Sequence, residues 1–342
     1  MSGIFHRALA GDALPIPPIW LMRQAGRYQA RYQKLRERHS FADLCRNPEL
    51  SAEVALGPVL DFDFDAAILF SDLLFPLEAL GFGLSYDDGP PKLDGSLTFE
   101  RLSAFRPIED ALARLMFQRD AMAATRARLP RDTGLIGFVG GPWTLFVYAV
   151  EGTHAGALER SKSAKALYRA FADRVTPLLQ ENIRLQFDGG ADVVMIFDTA
   201  AGELTPEAFA RDVSTDLDAL ARAFPRRLGY YAKGLQPAHL TACGWDASSP
   251  WAGLGLDWNW DLAGTLAASD RTGFVQGNFD PARLLAPARD LEQDVKKFVA
   301  PLQRLKPRDR RGWICGLGHG VLPNTPEANV RTFVNLVRES FA

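Results

Sequence analysis

Arg23 and Arg27 stand four residues apart in Pro18-Ile19-Trp20-Leu21-Met22-Arg23-Gln24-Ala25-Gly26-Arg27-Tyr28, directly behind a short apolar run. A guanidinium is always charged, and its planar fork of donors matches a carboxylate bidentately. No acidic residue lies between Asp12 and Glu37 to answer these charges locally. Arginines at the end of a buried run therefore need a distant carboxylate or an anionic ligand. Gly26 is expected to supply a sharp turn into a helix whose first N–H groups add anion-binding capacity. Arg31, Lys34, Arg36 and Arg38 follow on that helix and read as mostly solvated charge.

Asp72 lies in Ile68-Leu69-Phe70-Ser71-Asp72-Leu73-Leu74. A carboxylate among aliphatics is costly without donors or a cation beside it. It could act as a base, a metal ligand or a counter-charge for a developing cation, or it could simply pair with Arg23 or Arg27. His319 sits in Gly316-Leu317-Gly318-His319-Gly320, where glycines let ring and backbone approach a ligand closely. Tyr148 follows Gly140-Gly141-Pro142-Trp143-Thr144, and its phenol could bond a ligand or merely edge a helix. Asp61, Asp63 and Asp65 alternate with Phe62 and Phe64, which favours one polar and one buried face over a metal cluster. No GxSxG elbow and no histidine pair with metal spacing occurs.

Eight short apolar, β-branched or aromatic runs could position these residues: Ile19–Met22, Ala66–Phe70, Leu135–Val139, Val193–Phe197, Leu228–Ala232, Leu254–Leu256, Gly273–Val275 and Gly312–Cys315. Between them lie segments with helical spacing, such as Pro48–Val54, Ala164–Phe187 and Asp261–Ser269. Strands alternating with helices indicate parallel βαβ units, and eight of them predict a closed (β/α)₈ TIM barrel as a single domain over residues 1–342. Polar residues follow the runs: Arg23, Ser71-Asp72, Asp198-Thr199, Asp257, Gln276 and His319. Barrel enzymes build their sites at the carboxyl ends of the strands, so these residues should share one mouth.

The chain has 342 residues, 47% apolar and 23% charged, enough to bury a large core. Its formal net charge of −2 argues against a general nucleic-acid or membrane binder. Residues 1–46 carry eight Arg or Lys against three Asp or Glu, so the remainder is acidic. A positive field at one mouth of an acidic protein suits a polyanionic small molecule. Cys45, Cys243 and Cys315 show no CxxC and read as thiols in a reducing compartment. With no apolar leader and no long apolar span in view, the expectation is a cytoplasmic protein.

The motifs bring a family into view. Ile19–Tyr28, Leu44-Cys45-Arg46-Asn47-Pro48-Glu49-Leu50, Phe70-Ser71-Asp72, Gly140–Leu145, Leu256-Asp257-Trp258, Gln276–Pro281 and Gly318-His319-Gly320 occur in the order found there. The chain resembles the uroporphyrinogen decarboxylase family over essentially its full length. The resemblance implies a (β/α)₈ barrel and a homodimer with adjacent clefts. It implies removal of the four acetate carboxyls of uroporphyrinogen as CO₂, without metal or prosthetic group, to give coproporphyrinogen for haem or chlorophyll synthesis. Carried over by motif, Arg23 and Arg27 would hold substrate carboxylates, and Gln24, Ala25 and Gly26 would line the same loop. Asp72 would face the pyrrole N–H groups, with Tyr148, Thr199 and His319 completing the pocket. Thr199 and Ala200 stand where many eukaryotic relatives have serine and histidine; threonine keeps the hydroxyl, and alanine removes a polar contact.

That chemistry fits the residue types. A protonated pyrrole can accept the electrons of the breaking C–C bond, so the substrate is its own electron sink. Asp72 would stabilise the cation as it forms. The proton donor stays open among an arginine-bound water, Tyr148 and His319. Two alternatives remain: a corrinoid-linked methyltransferase of the same superfamily, and a non-catalytic tetrapyrrole binder. The first binds zinc through a His-x-Cys pair, and no cysteine here stands two residues after a histidine. The second would need the arginine loop but not Asp72.

Overall fold

The computed structural model describes residues 3–86 and 90–342. Seven strands form one wholly parallel sheet, each beside its successor: Ala66–Ile68, Gly134–Gly140, Val193–Phe197, Leu228–Tyr231, Gly253–Gly255, Phe274–Phe279 and Trp313–Leu317. The register pairs Ala66 with Gly134, Ile136 with Val193, Val194 with Leu228, Gly253 with Phe274, and Val275 with Trp313. Because all strands run the same way, their carboxyl ends share one face. Helices fill the crossovers, including Pro142–Glu151 and Lys165–Asp188, while Pro48–Phe62 precedes the first strand and Glu327–Phe341 follows the last. A two-stranded antiparallel ribbon, Leu84–Ser85 with Lys92–Leu93, stands apart.

The sheet separates two cores. The larger lies between strands and helices, and their runs are accordingly apolar. The smaller gathers alternate strand residues, among them Ile68, Ile136, Met195, Tyr231, Phe274 and Ile314. Trp20 and Met22 join this inner cluster, and Phe5 and Ala8 of the helix Ile4–Leu9 close it from the amino-terminal side. Small residues make the room: a Cβ on Gly229 would lie 2.3 Å from Met195 Sδ.

The first of the eight expected strands does not form. Ile19 makes only a single parallel bridge, to Cys315. Prolines 17 and 18 bring no N–H groups to a ladder. The Ile19 N–H goes to Asp65 Oδ2 at 2.7 Å, and the Leu21 N–H to Gln24 Oε1 at 3.2 Å. Side chains thus take the donors that a strand would give to its neighbour. The segment still lies between the outermost strands, since Asp65 N–H reaches Ile19 O at 2.9 Å while Cys315 N–H reaches Pro18 O at 2.8 Å. The observed architecture is therefore a curled seven-stranded parallel sheet, with the Ile19 segment making a single bridge where an eighth strand was expected.

Gln276 is also displaced from its expected place. The Phe274–Phe279 strand runs past it, so the side chain is buried inside the sheet with Nε2 on Leu317 O at 3.3 Å.

Candidate active site

The arginine loop follows the bridge segment. Its left-handed residue is Arg23, with φ 58°, and not Gly26. A non-glycine residue there costs on the order of 1–2 kcal/mol and needs support from its surroundings. Gln24 provides that support. Its side chain is fully buried, with Oε1 on Leu21 N–H and Nε2 donating to Ala66 O at 3.0 Å, and Tyr28 donates to Gln24 O at 2.7 Å. The Gln24 side chain is thus turned inward and bolts the loop to the first strand. Ala25 and Gly26 are half-buried beside it.

Arg23 and Arg27 are exposed, correcting the expectation of buried charges. Among the described residues, neither guanidinium has a carboxylate within ion-pairing distance, whereas Arg31, Arg46 and Arg338 all do. The N–H of Ala30, first residue of the helix Ala30–Arg36, is taken by Glu327 Oε1 at 2.5 Å. A protein carboxylate thus takes the first N–H of that helix start. Arg36 donates to His39 O at 2.7 Å.

Asp72 follows the first strand. Its Oδ1 accepts the Leu74 N–H at 2.7 Å, a turn that fixes the carboxylate, and this is its one hydrogen bond among the described residues. Burial pushes its pKa up to about 6, against the pull of Leu74 N–H and Arg23. Tyr148 rides on the Pro142–Glu151 helix, where burial and the Asp72 charge push its phenol up to about 12 while Arg23 opposes them. His319 follows the last strand; burial, then Arg23 and Lys233, push it down to about 4, so it is neutral at pH 7. Its loop packs closely on Arg23: a Cβ on Gly320 would lie 2.4 Å from Arg23 Cδ. Tyr231 donates to Gly318 O at 2.7 Å and holds that loop from below.

One cation, Arg23, therefore bears on Asp72, Tyr148 and His319 together. Thr199 sits on the turn after the Val193–Phe197 strand, half-buried, and Ala200 behind it is buried with its N–H on Thr144 Oγ1 at 3.0 Å. Two polar residues at strand ends serve the scaffold instead. Asp198 accepts from Thr144 N–H and the Tyr230 hydroxyl; Asp257 accepts from Gly234 and Asn259 N–H groups. The three alternating aspartates are also committed: Asp61 to Arg31 and Gln29, Asp63 to Arg338, and Asp65 to Ile19.

Sequence reasoning missed two residues at this mouth. Lys233 follows the Leu228–Tyr231 strand, so the rule that found Arg23 and Asp72 also reaches it; its Nζ lies 5.5 Å from the ring centroid of half-exposed Trp258. His154 lies on the loop after the Pro142–Glu151 helix, with Nδ1 2.6 Å from Tyr148 Oη. No periodicity marks it. Two surface cavities of about 390 and 770 Å³ lie elsewhere and include none of these residues in their walls.

Comparison with known proteins decides the family. The family model described as uroporphyrinogen decarboxylase matches residues 3–340. The chain belongs to the uroporphyrinogen decarboxylase family. A uroporphyrinogen decarboxylase of Thermus thermophilus is 35% identical, over 99% of this chain and 98% of that protein. One of Edwardsiella ictaluri is 36% identical over 97% of this chain and 95% of its own, and one of Gloeobacter violaceus is 34% identical over 94% and 93%. Among solved structures, a methyltransferase from Methanosarcina mazei superposes over 100% of both chains with TM-score 0.73 at 19% identity, which shows a shared fold.

Proposed function

We propose that this member of the uroporphyrinogen decarboxylase family removes the four acetate carboxyls of uroporphyrinogen as CO₂, giving coproporphyrinogen in tetrapyrrole biosynthesis. The observation that carries the reading is Asp72. It is a largely buried carboxylate with one protein donor, in the field of exposed Arg23, which no carboxylate answers among the described residues. Its free lone pairs suit pyrrole N–H groups, and the arginines suit the substrate's acid arms.

Chemistry follows from that placement. A proton added to the ring carbon next to the one bearing the acetate makes an iminium-like cation. The C–C pair then flows into the ring as CO₂ leaves. Asp72 is ionised above pH 6 and destabilised by burial, so a cation growing against it relieves the cost while the cation is itself stabilised. Arg23 and Arg27 place the carboxylates, and Thr199 supplies a hydroxyl at the rim. Ala25 and Gly26 let the macrocycle approach the loop. The substrate supplies the electron sink, so the reading needs no cofactor.

The single bridge between Ile19 and Cys315 supports reading that segment as an eighth stave closing a (β/α)₈ barrel. A homodimer with adjacent clefts and a cytoplasmic location complete the reading; the free thiols of Cys45, Cys243 and Cys315 suit a reducing compartment. No described helix is long and apolar enough to cross a membrane.

Anaerobic turnover of uroporphyrinogen by the purified, metal-free protein tests the activity, with the carboxyl count followed by chromatography. Stepwise loss of four carboxyls is expected. A carboxyl count that stays at eight would overturn the reading. Sedimentation tests the dimer: a single species at the 37.7 kDa of one chain would contradict it.

A further inference from the structure

The proposed reaction sets a demand that the residues named so far do not meet. Each round turns an acetate carboxylate into a methyl group and CO₂ with net uptake of one proton. The ring carbon takes one proton, the exocyclic methylene takes another after CO₂ leaves, and the ring carbon returns its own. Four rounds need a donor that water can recharge. Arginine does not release its proton in proteins. His319 holds no spare proton at pH 7, and Tyr148 alone is a weak acid.

Resting on that functional reading, we propose that His154 and Tyr148 form a proton-delivery pair, in which His154 takes a proton from water and passes it through the Tyr148 hydroxyl to the tetrapyrrole. The geometry is direct. His154 Nδ1 lies 2.6 Å from Tyr148 Oη, with ring centroids 5.4 Å apart. His154 belongs to the exposed loop between the helices Pro142–Glu151 and Glu159–Ser163, so its outer edge meets solvent. Tyr148 is half-buried on the mouth side, within reach of the Asp72 and Arg23 fields.

The step balances. The Tyr148 O–H bond breaks as the ring C–H bond forms, and the imidazolium Nδ1–H proton moves to Oη. Neutral imidazole then regains its proton from water. The charged groups that act on His154 are Arg23 and Lys233; with burial, which acts most, they hold its pKa below 6.5. His319 completes the set, since His154 in turn bears on it. A substrate with eight carboxylates answers Arg23 and Lys233, which raises the proton affinity of His154 when the proton is needed. His154 is a positioning residue in this scheme, because Tyr148 makes the contact with substrate.

The test compares parent, His154→Gln and His154→Ala in anaerobic turnover across pH 5.5–9. Glutamine keeps a hydrogen-bond partner for Tyr148 but does not titrate. General acid catalysis contributes roughly 10²–10⁴, and water replaces part of it, so kcat in His154→Gln should fall at least about tenfold with KM unchanged. The alkaline limb of the parent kcat profile should be lost or flattened in His154→Gln. Imidazole added to His154→Ala should restore turnover at this exposed site. Parent kcat and an unchanged pH profile in His154→Gln would overturn the pair, as would a slow His154→Ala that imidazole does not rescue. A parent that releases no CO₂ would instead overturn the functional reading itself.

Discussion

Asp198 and Thr144 are joined across 54 residues by a 2.8 Å hydrogen bond from the Thr144 N–H to Asp198 Oδ1. Thr144 lies in the first turn of the helix that carries Tyr148, so a strand-end carboxylate holds the start of a site-bearing helix. Asp198 Oδ2 also accepts the Tyr230 hydroxyl at 3.2 Å, and the side chain is wholly buried. Asp198→Ala strands both donors and leaves a cavity. It should cost about 2–4 kcal/mol and lower kcat through a loosened Tyr148. Asp198→Asn keeps an acceptor for Thr144 and should lose much less. Urea midpoints and turnover of the two variants check this; equal midpoints would mean that the carboxylate does not hold the helix.

Asp72 should trade stability for activity. Burial raises its pKa from 3.8 to about 6, so the folded chain binds this proton more tightly than the unfolded chain. The penalty for the ionised form is absent below pH 4, grows through pH 4–6 and is complete above it. Asp72→Asn keeps the acceptor for Leu74 N–H and removes the charge. At pH 7.5 the variant should be more stable than the parent by up to about 3 kcal/mol, while turnover falls by about 10²–10³. The stability gain should shrink by pH 4. A variant that turns over at the parent rate would remove Asp72 from the mechanism.

Runs apolar on both faces, such as Val193–Phe197, announce buried parallel strands in the sequence, and the structure forms that strand over the same residues. Ile19–Met22 has the same composition and does not form one. What decides its fate is Asp65, 46 residues away from Ile19, which takes its N–H; a local pattern does not contain that partner. The polar residues behind the strands show the same divide. Arg23 does act on both Asp72 and His319, but Asp198 and Asp257 occupy equivalent positions and face the scaffold. Residue type and position were enough to find candidates, while hydrogen-bond partners separate ligand contacts from struts. Lys233 lay within reach of the same rule, whereas His154 depends on how one irregular loop folds back onto Tyr148.

Arg27 should report on the substrate's acid arms. Its guanidinium is exposed, and its backbone carbonyl is held separately by Gln33 Nε2 at 2.7 Å. Arg27→Ala therefore removes charge and leaves the loop tethered. One charge-assisted hydrogen bond contributes about 1.5–3 kcal/mol, so uroporphyrinogen binding should weaken by roughly ten- to a hundredfold. The dependence of binding on ionic strength should flatten with it, because one cationic contact is gone. Titrations at two salt concentrations check both effects; parent affinity at low salt would place Arg27 outside the binding surface.

His319 should make the fold sensitive to mild acid. Its pKa falls from 6.5 to about 4 through burial, reinforced by Arg23 and Lys233, so the unfolded chain takes up this proton first. The linked stability is complete above pH 6.5 and is lost as pH drops toward 4, by up to about 3 kcal/mol. This runs opposite to Asp72, whose penalty is relieved over nearly the same window. His319→Asn keeps a polar side chain between Gly318 and Gly320 without the titration. Its stability relative to the parent should rise steadily from pH 7 to pH 4.5 in matched urea titrations. If the difference between the two proteins does not change with pH, the imidazole is as free to take a proton in the folded mouth as in the unfolded chain, and the cationic field assigned to Arg23 and Lys233 does not act on it.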